Sequence, residues 1–436
     1  MTAARALSIR AAADDAGDRP AVITATAVVS FAELAARAAA VPVTASDSAA
    51  PVVATPSLDT LAEILAHVDR GRAVALLHPR VDAGERARQA ALAAARPVAA
   101  GTLAVVFTSG STGQARGVVL SRAGFLAAAH ASAEHLGWRG DDRWLLALPL
   151  AHVGGLAVAL RCLVARRPVV LLEGDFAADR AAALLAAGAA TLASLVPTQL
   201  DALLADSGWR PPPHLRAVLL GGAAAPAGLL DRAAARGVPF LATYGMTETW
   251  GQVATQPLAS AGRRAALAPL PGVTLEAGSP GSPAPIRIRT AARATGVLGG
   301  PRDASTGWQV TSDLGWLDAA GHLHVTGRAD DVIITGGENV HPLEVEAHVA
   351  AAPGVAAACV FAVPDARWGQ LVAAAVVAAA GFDRAALVAH LAALGPHHRP
   401  RRLAIVDALP LGPSGKVDRR AAAARYAAVA GELHYP

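Results

Sequence analysis

Residues 107–117 read Phe-Thr-Ser-Gly-Ser-Thr-Gly-Gln-Ala-Arg-Gly, launched directly from the apolar run Leu103-Ala104-Val105-Val106. Thr108, Ser109, Ser111 and Thr112 offer hydroxyl donors, and Gly110 and Gly113 let backbone amides come close to a phosphate. No Gly-Lys-Ser/Thr follows at Walker spacing, so this is not a P-loop. The alternative is a flexible surface loop, a rarer outcome for a run that leaves a core strand. Further on, Tyr244-Gly245-Met246-Thr247-Glu248 gathers an aromatic plate, a hydroxyl and a carboxylate. Such a set could stack a base, contact a phosphate and hold a divalent cation. Asp313, in Thr311-Ser312-Asp313-Leu314-Gly315, could accept hydrogen bonds from ribose hydroxyls or be an ordinary turn aspartate. In Gly327-Arg328-Ala329-Asp330-Asp331 a charged junction precedes the glycine pair Gly336-Gly337, which fits a hinge and a backbone-lined channel better than packed core.

Three isolated polar groups add to these strings. The chain has a single lysine, Lys416, and 37 arginines (38 basic residues less that one). It follows Pro413-Ser414-Gly415, a turn that presents a side chain. Lysine is a compact point charge on a thin stem, whereas guanidinium is a wide planar fork, so the two differ at a crowded site. His152 stands in Leu148-Pro149-Leu150-Ala151-His152-Val153-Gly154-Gly155, either as a pocket residue or as a core histidine bonded to backbone. Nine residues later Arg161 interrupts an apolar helical stretch. A buried guanidinium needs an anion. That anion is either an acid of the protein, the commoner case, or a carboxylate of a substrate.

The elements that must position these groups are legible as patterns. Short apolar runs such as Pro168-Val169-Val170-Leu171-Leu172 and Ala217-Val218-Leu219-Leu220 alternate with alanine-rich helical stretches. That pattern predicts an α/β chain, its parallel sheets covered by helices on both faces. From about 265 to 326 glycine–proline turns and short alternating strands predict a small β-rich subdomain. After Asp330 the chain changes again. A helix at 343–352, strands at 357–363 and 371–379 and a helix at 383–394 predict a small α+β unit of ordinary domain size.

Bulk properties narrow the function. Hydrophobic residues make up 53% of the 436, but aromatics only 4%, and net charge is +4. Basic residues are scattered without aromatic interleaving, so no nucleic-acid partner is expected. Apolar runs such as Leu371 to Ala380 are too short to cross a bilayer, so no membrane insertion is expected. The two cysteines, Cys162 and Cys359, sit far apart in apolar settings, as reduced thiols do. A cytoplasmic protein is the expectation.

In this order the strings resemble the adenylate-forming superfamily, which includes acyl-CoA synthetases, adenylation domains and luciferases. The resemblance runs from about residue 100 to 420. It implies a large N-terminal domain (1–329) of parallel-rich sheets flanked by helices, carrying the β-rich subdomain, and a small mobile α+β domain (330–436). By matching positions, Thr108, Ser109, Gly110, Ser111, Thr112 and Gly113 would grip pyrophosphate. Tyr244 and Gly245 would meet adenine, Thr247 the α-phosphate, and Glu248 Mg²⁺. Asp313 would bind the ribose with Arg328 beside it, and Asp330 would be the hinge. Lys416 would bridge the attacking carboxylate and the α-phosphate, and Gly336 and Gly337 would line the thiol's tunnel.

The substrates implied are ATP, with Mg²⁺, coenzyme A and a small carboxylic acid, and the implied assembly has room for a homodimer. Within the superfamily the strings from His152 to Arg161 and from Thr243 to Gln252 are most similar to the o-succinylbenzoate–CoA ligases of menaquinone biosynthesis. In that reading Arg161 would hold the acid's second carboxylate, Gly154 would line the pocket, and Gly222 and Ala223 would floor it. Aryl-CoA ligases are the alternative, then medium-chain acyl ligases, then a non-catalytic nucleotide sensor. The chain departs from the superfamily at Ala115-Arg116-Gly117, where Pro-Lys-Gly is usual, and in a short stretch before residue 100.

Overall fold

The computed structural model describes residues 3–109, 115–300, 307–412 and 415–435. They form two compact units. The first comprises Met1–Gly222, Ala233–Thr274 and Arg289–Gln309, and the second Ala223–Arg232, Leu275–Ile288 and Val310–Pro436.

Continuous apolar runs become strands buried on both faces in the first unit. Leu192–Leu195, Ala217–Leu220 and Trp144–Leu146 lie wholly inside. They belong to a nine-stranded sheet whose six central strands are parallel, in the order Phe240–Met246, Ala217–Leu220, Leu192–Leu195, Trp144–Leu146, Val169–Leu171 and Pro20–Ile23. Antiparallel strands close both edges: Gly251–Thr255 and Ala268–Pro269 at one, Val28–Ser30 at the other. A five-stranded sheet pairs Ala50–Val53, Val74–Leu77 and Thr102–Ser109 in parallel. It then continues antiparallel through Ala115–Ser121 to Gly296–Val297. Helix Arg122–Leu136, capped by the Ser121 hydroxyl, follows directly. Its Phe125 meets the fully buried Trp250 edge-on at 5.1 Å. The two fully buried indoles satisfy their N–H: Trp250 donates to Ser121 O at 3.1 Å and Trp144 to Ser194 Oγ at 3.0 Å.

The stretch expected to be one β-rich body divides among three sheets. Ala268–Pro269 extends the nine-stranded sheet and Gly296–Val297 the five-stranded one. Thr274–Glu276, Ala284–Arg289, Trp308–Leu317 and Leu323–Arg328 form a separate four-stranded sheet. Two-residue strands carry too little pattern to reveal which edge they join.

The C-terminal six-stranded sheet is built on the long antiparallel pair Val355–Asp365 and Gly369–Ala378, with Arg402–Val406 parallel to the latter. Strand alternation sorts its two faces. Val372, Ala374 and Val376 pack with Val345 and Val349 of helix Pro342–Ala350 and with Leu387 and Leu391 of helix Arg384–Leu391. Ala373 and Ala375 pack with Ala422 and Tyr426 of helix Arg419–Tyr426. Among the described residues no helix is long and apolar enough to cross a membrane.

Candidate active site

The phosphate-loop string is flanked by two antiparallel strands, Thr102–Ser109 and Ala115–Ser121. Thr108 pairs with Arg116, and Ser109 with Ala115. Gly110, Ser111, Thr112 and Gly113, with the side chain of Ser109, lie outside the described residues. Thr108 Oγ1 is buried and has no hydrogen-bond partner among the described residues. A buried hydroxyl at the end of this strand, unmet by the described residues, fits a ligand oxygen, since an unmet buried polar group costs free energy.

Strand Phe240–Met246 carries Tyr244 and Gly245, and the short turn Thr247–Thr249 carries Thr247 and Glu248. A Cβ on Gly245 would lie 1.7 Å from the Gly251 carbonyl oxygen, so only glycine lets these two strands approach. Glu248 Oε1 accepts from Arg116 Nη2 at 3.1 Å, and the carboxylate is 22% exposed. Among the described residues no three metal-ligating side chains converge. One carboxylate suffices for Mg²⁺, which keeps its waters and takes substrate phosphate oxygens, so Glu248 fits the ion.

His152 is the residue before helix Val153–Ala165 and makes no side-chain cap. Its ring lies 5.1 Å from that of His78, tilted by 46°. Gly154 is half-buried in the first turn of the same helix. Two turns further on, Arg161 is 6% exposed. Nη1 donates to Gln252 Oε1 at 3.4 Å, and the guanidinium lies 5.8 Å over the Trp144 ring. Nε has no partner, and no carboxylate of the described residues pairs with this arginine. Burial pulls its pKa down to about 10.

The same Gln252 oxygen also accepts from Ser132 Oγ at 3.1 Å. Gln252 Nε2 donates to Thr255 Oγ1 at 2.6 Å, which in turn donates to Thr243 Oγ1 at 2.9 Å. A buried polar relay therefore joins Arg161 to the strand that carries Tyr244. Thr243 and Gln252 bound a string read in the sequence, whereas Ser132 and Thr255 lie in no motif, and only the fold links them to Arg161. Gly222 has φ +82° at the turn after Ala217–Leu220. Ala223 is exposed and belongs to the second unit.

Within the second unit Asp313 faces Arg328 across paired strands, at 3.1 Å. Arg328 also reaches Asp330, in the turn Ala329–Asp331, at 3.2 Å. Burial works against the Arg328 charge, but Asp313, Asp330 and Asp331 outweigh it and raise the pKa. The Lys416 carbonyl accepts the Gly412 N–H at 2.8 Å, and Gly415 just before it has φ +77°. Burial holds its ammonium below the ordinary lysine range, Asp313 opposing that shift and Arg328 adding to it. The lone lysine, the candidate ribose acid and its arginine are thus one electrostatic cluster. Gly336 (φ +60°) and Gly337 (φ +86°) turn the chain between Ile333–Thr335 and Glu338–Val340. A Cβ on Gly336 would meet the Trp368 ring at 2.6 Å. Beside this turn a cavity of about 70 Å³ is lined by Thr335, Trp368, His397 and Arg401 among others.

Comparison with known proteins places this arrangement. The AMP-binding enzyme family matches residues 11–286, and the AMP-binding enzyme C-terminal domain matches residues 344–416. The chain is 34% identical to a 2-succinylbenzoate–CoA ligase of Listeria monocytogenes, over 72% of this chain and 68% of that one. It is also similar to the o-succinylbenzoate CoA synthetase of Bacillus subtilis solved with the acyl-adenylate OSB-AMP. There the TM-score is 0.82 and the identity 27%, over 94% of this chain and 96% of that chain. With the same B. subtilis enzyme bound to ATP and magnesium ion the TM-score is 0.83 and the identity 26%, over 94% and 98%. Both family regions occur here in sequence order, and the chain belongs to the AMP-binding enzyme family, as an adenylate-forming acid–thiol ligase.

Proposed function

We propose that this chain converts 2-succinylbenzoate, ATP and CoA to 2-succinylbenzoyl-CoA, AMP and diphosphate, as menaquinone biosynthesis requires. The observation that carries the choice of acid is Arg161, a buried guanidinium held by one amide oxygen and an aromatic face with no carboxylate of the described residues beside it. A dicarboxylate supplies the missing anion, and the curated relatives are named for that acid. Benzoates and fatty acids offer no second carboxylate to satisfy it.

The two half-reactions follow from charge. A carboxylate attacking ATP brings two anions together, and positioned cations lower that barrier. Lys416 bridges the carboxylate and the α-phosphate, His152 stands beside the carboxylate, and Thr247 holds the phosphate. The 108–113 loop grips the pyrophosphate that leaves, and Arg116 supplies charge where lysine is usual. Asp313, steadied by Arg328, takes the ribose hydroxyls and Tyr244 the adenine. Mg²⁺ on Glu248, when bound, neutralises phosphate charge. Rotation of the small domain about Asp330 then withdraws Lys416 and brings Gly336 and Gly337 to the thiol, which displaces AMP. A cytoplasmic location, a homodimer and the absence of a nucleic-acid partner complete the reading. Scattered basic residues support the last of these, and sedimentation tests the dimer.

Thioester formation with 2-succinylbenzoate, benzoate and octanoate tests the proposal. We expect kcat/KM for 2-succinylbenzoate to exceed the others by at least about 100-fold, as for a desolvated charge pair. Equal or better turnover of benzoate would overturn it in favour of an aryl-CoA ligase.

A further inference from the structure

His78 follows the five-stranded sheet's strand Val74–Leu77 and is 6% exposed. Its Nδ1 accepts the Arg80 backbone N–H at 3.1 Å. That bond fixes the tautomer of the neutral ring and leaves the proton on Nε2. Burial, helped by Arg80 and opposed by Asp175, disfavours the imidazolium form. The buried Nε2–H meets no acceptor among the described residues. The ring stands 5.1 Å from His152, which heads the helix carrying Arg161. His67, another imidazole of this unit with an unmet nitrogen, lies within helix Leu58–Asp69, with no second ring against it among the described residues.

A donor desolvated in this way costs free energy unless an acceptor arrives. His78 also lies at the carboxyl end of a parallel strand, the end at which open α/β sheets bind ligands. We propose that His78 is a substrate-binding residue of the acyl pocket. Its Nε2–H donates to an oxygen of the carboxylate that is activated, on the side faced by His152. This rests on the reading of His152 as the neighbour of that carboxylate. The two imidazoles then divide the work: His78 presents a fixed donor, and His152 contributes from the helix start.

Acid-dependent ATP–pyrophosphate exchange by the full-length enzyme tests it, with 2-succinylbenzoate as the acid. His78→Phe keeps an aromatic ring, slightly larger, and removes the donor, whereas His78→Gln returns an N–H at a similar reach. The phenylalanine variant is expected to raise the acid KM about tenfold, the value of one net hydrogen bond, with the KM for ATP unchanged. The glutamine variant should recover most of that loss. In wild-type enzyme labelled with [¹⁵N]histidine, the His78 Nε2–H resonance should move when the acid binds, a readout that needs no variant. An acid KM within twofold of wild type in His78→Phe, or a resonance unmoved at saturating acid, overturns the proposal. So does an equal rise in both variants that tracks melting temperature, the mark of a structural role. No exchange in wild type with any acid would sink the parent reading, whereas exchange with an unmoved resonance sinks only the role of His78.

Discussion

Arg161 shows how one residue carries opposite consequences for folding and for binding. A desolvated guanidinium with one long amide bond and no carboxylate among the described residues destabilises the fold, and replacing such buried ions by apolar groups is often stabilising. Arg161→Met keeps the stem and removes the charge. We expect about 1 kcal/mol more stability, roughly 2–4 °C in melting temperature. KM for 2-succinylbenzoate should rise at least about tenfold, with little change for benzoate. Differential scanning fluorimetry with the thioester assay checks both. A variant less stable than wild type and unchanged in KM would contradict the role given to this arginine. At this scale the sequence was most readable where residue types are rare for their surroundings: one lysine among arginines, one arginine in an apolar helix. It was silent on His78, an ordinary histidine after an apolar strand. It was also silent on the pairing of Arg116 with Glu248, because 132 residues separate the partners and only the fold brings them together.

Elements were legible in proportion to their length. Parallel strands announced themselves as unbroken apolar runs, and the long C-terminal pair lies within two residues of the expected 357–363 and 371–379. Two-residue strands gave no such signal, hence the division of the 265–326 stretch among three sheets. How the parallel strands are tied was equally unreadable. Asp142, whose side chain is 0% exposed, accepts from Thr191 Oγ1 at 2.7 Å, from the Arg139 amide at 2.7 Å and from Arg216 at 2.7 and 2.9 Å. These residues stand just before three neighbouring strands, so the carboxylate fastens their starting ends. Burial raises its pKa, but Arg216, Thr191 and the Arg139 amide outweigh that and lower it. Its stabilising contribution is therefore complete above the ordinary aspartate value of 3.8 and is lost as pH falls through the lower folded value. Asp142→Asn should cost about 3–5 kcal/mol near neutral pH, since it leaves Arg216 without its charge partner. The deficit should shrink below pH 3.8, which denaturant melts between pH 3 and 7 would register. A constant deficit across that range would mean that shape, not charge, holds the strands.

For the whole molecule, the division of labour follows from which unit owns each group. Glu248, Arg116, His152 and Arg161 belong to the first, and Asp313, Arg328 and Lys416 to the second. Having only one lysine turns this into an experiment that most proteins of this size do not allow. An amine-reactive reagent can modify one side chain, Lys416, besides the α-amine. Because burial and Arg328 lower its pKa, its neutral, reactive form should appear at a lower pH than that of free lysine, while Asp313 limits the shift. Limited access works against this gain in reactivity. Labelling should therefore be slow yet should titrate below 10.5, the ordinary lysine value. If Lys416 spans the carboxylate and the α-phosphate, ATP with 2-succinylbenzoate should slow modification and inactivation together. If the small domain turns away for the second step, adding CoA to preformed adenylate should restore the labelling rate. Peptide mass spectrometry against exchange activity decides the matter, because full activity after complete Lys416 modification would remove the lysine from the chemistry. Lys416→Arg should not substitute. The guanidinium keeps the charge but is a planar fork where a point charge must fit between two anions, and exchange should fall about 100-fold, the usual loss when one transition-state donor is misplaced.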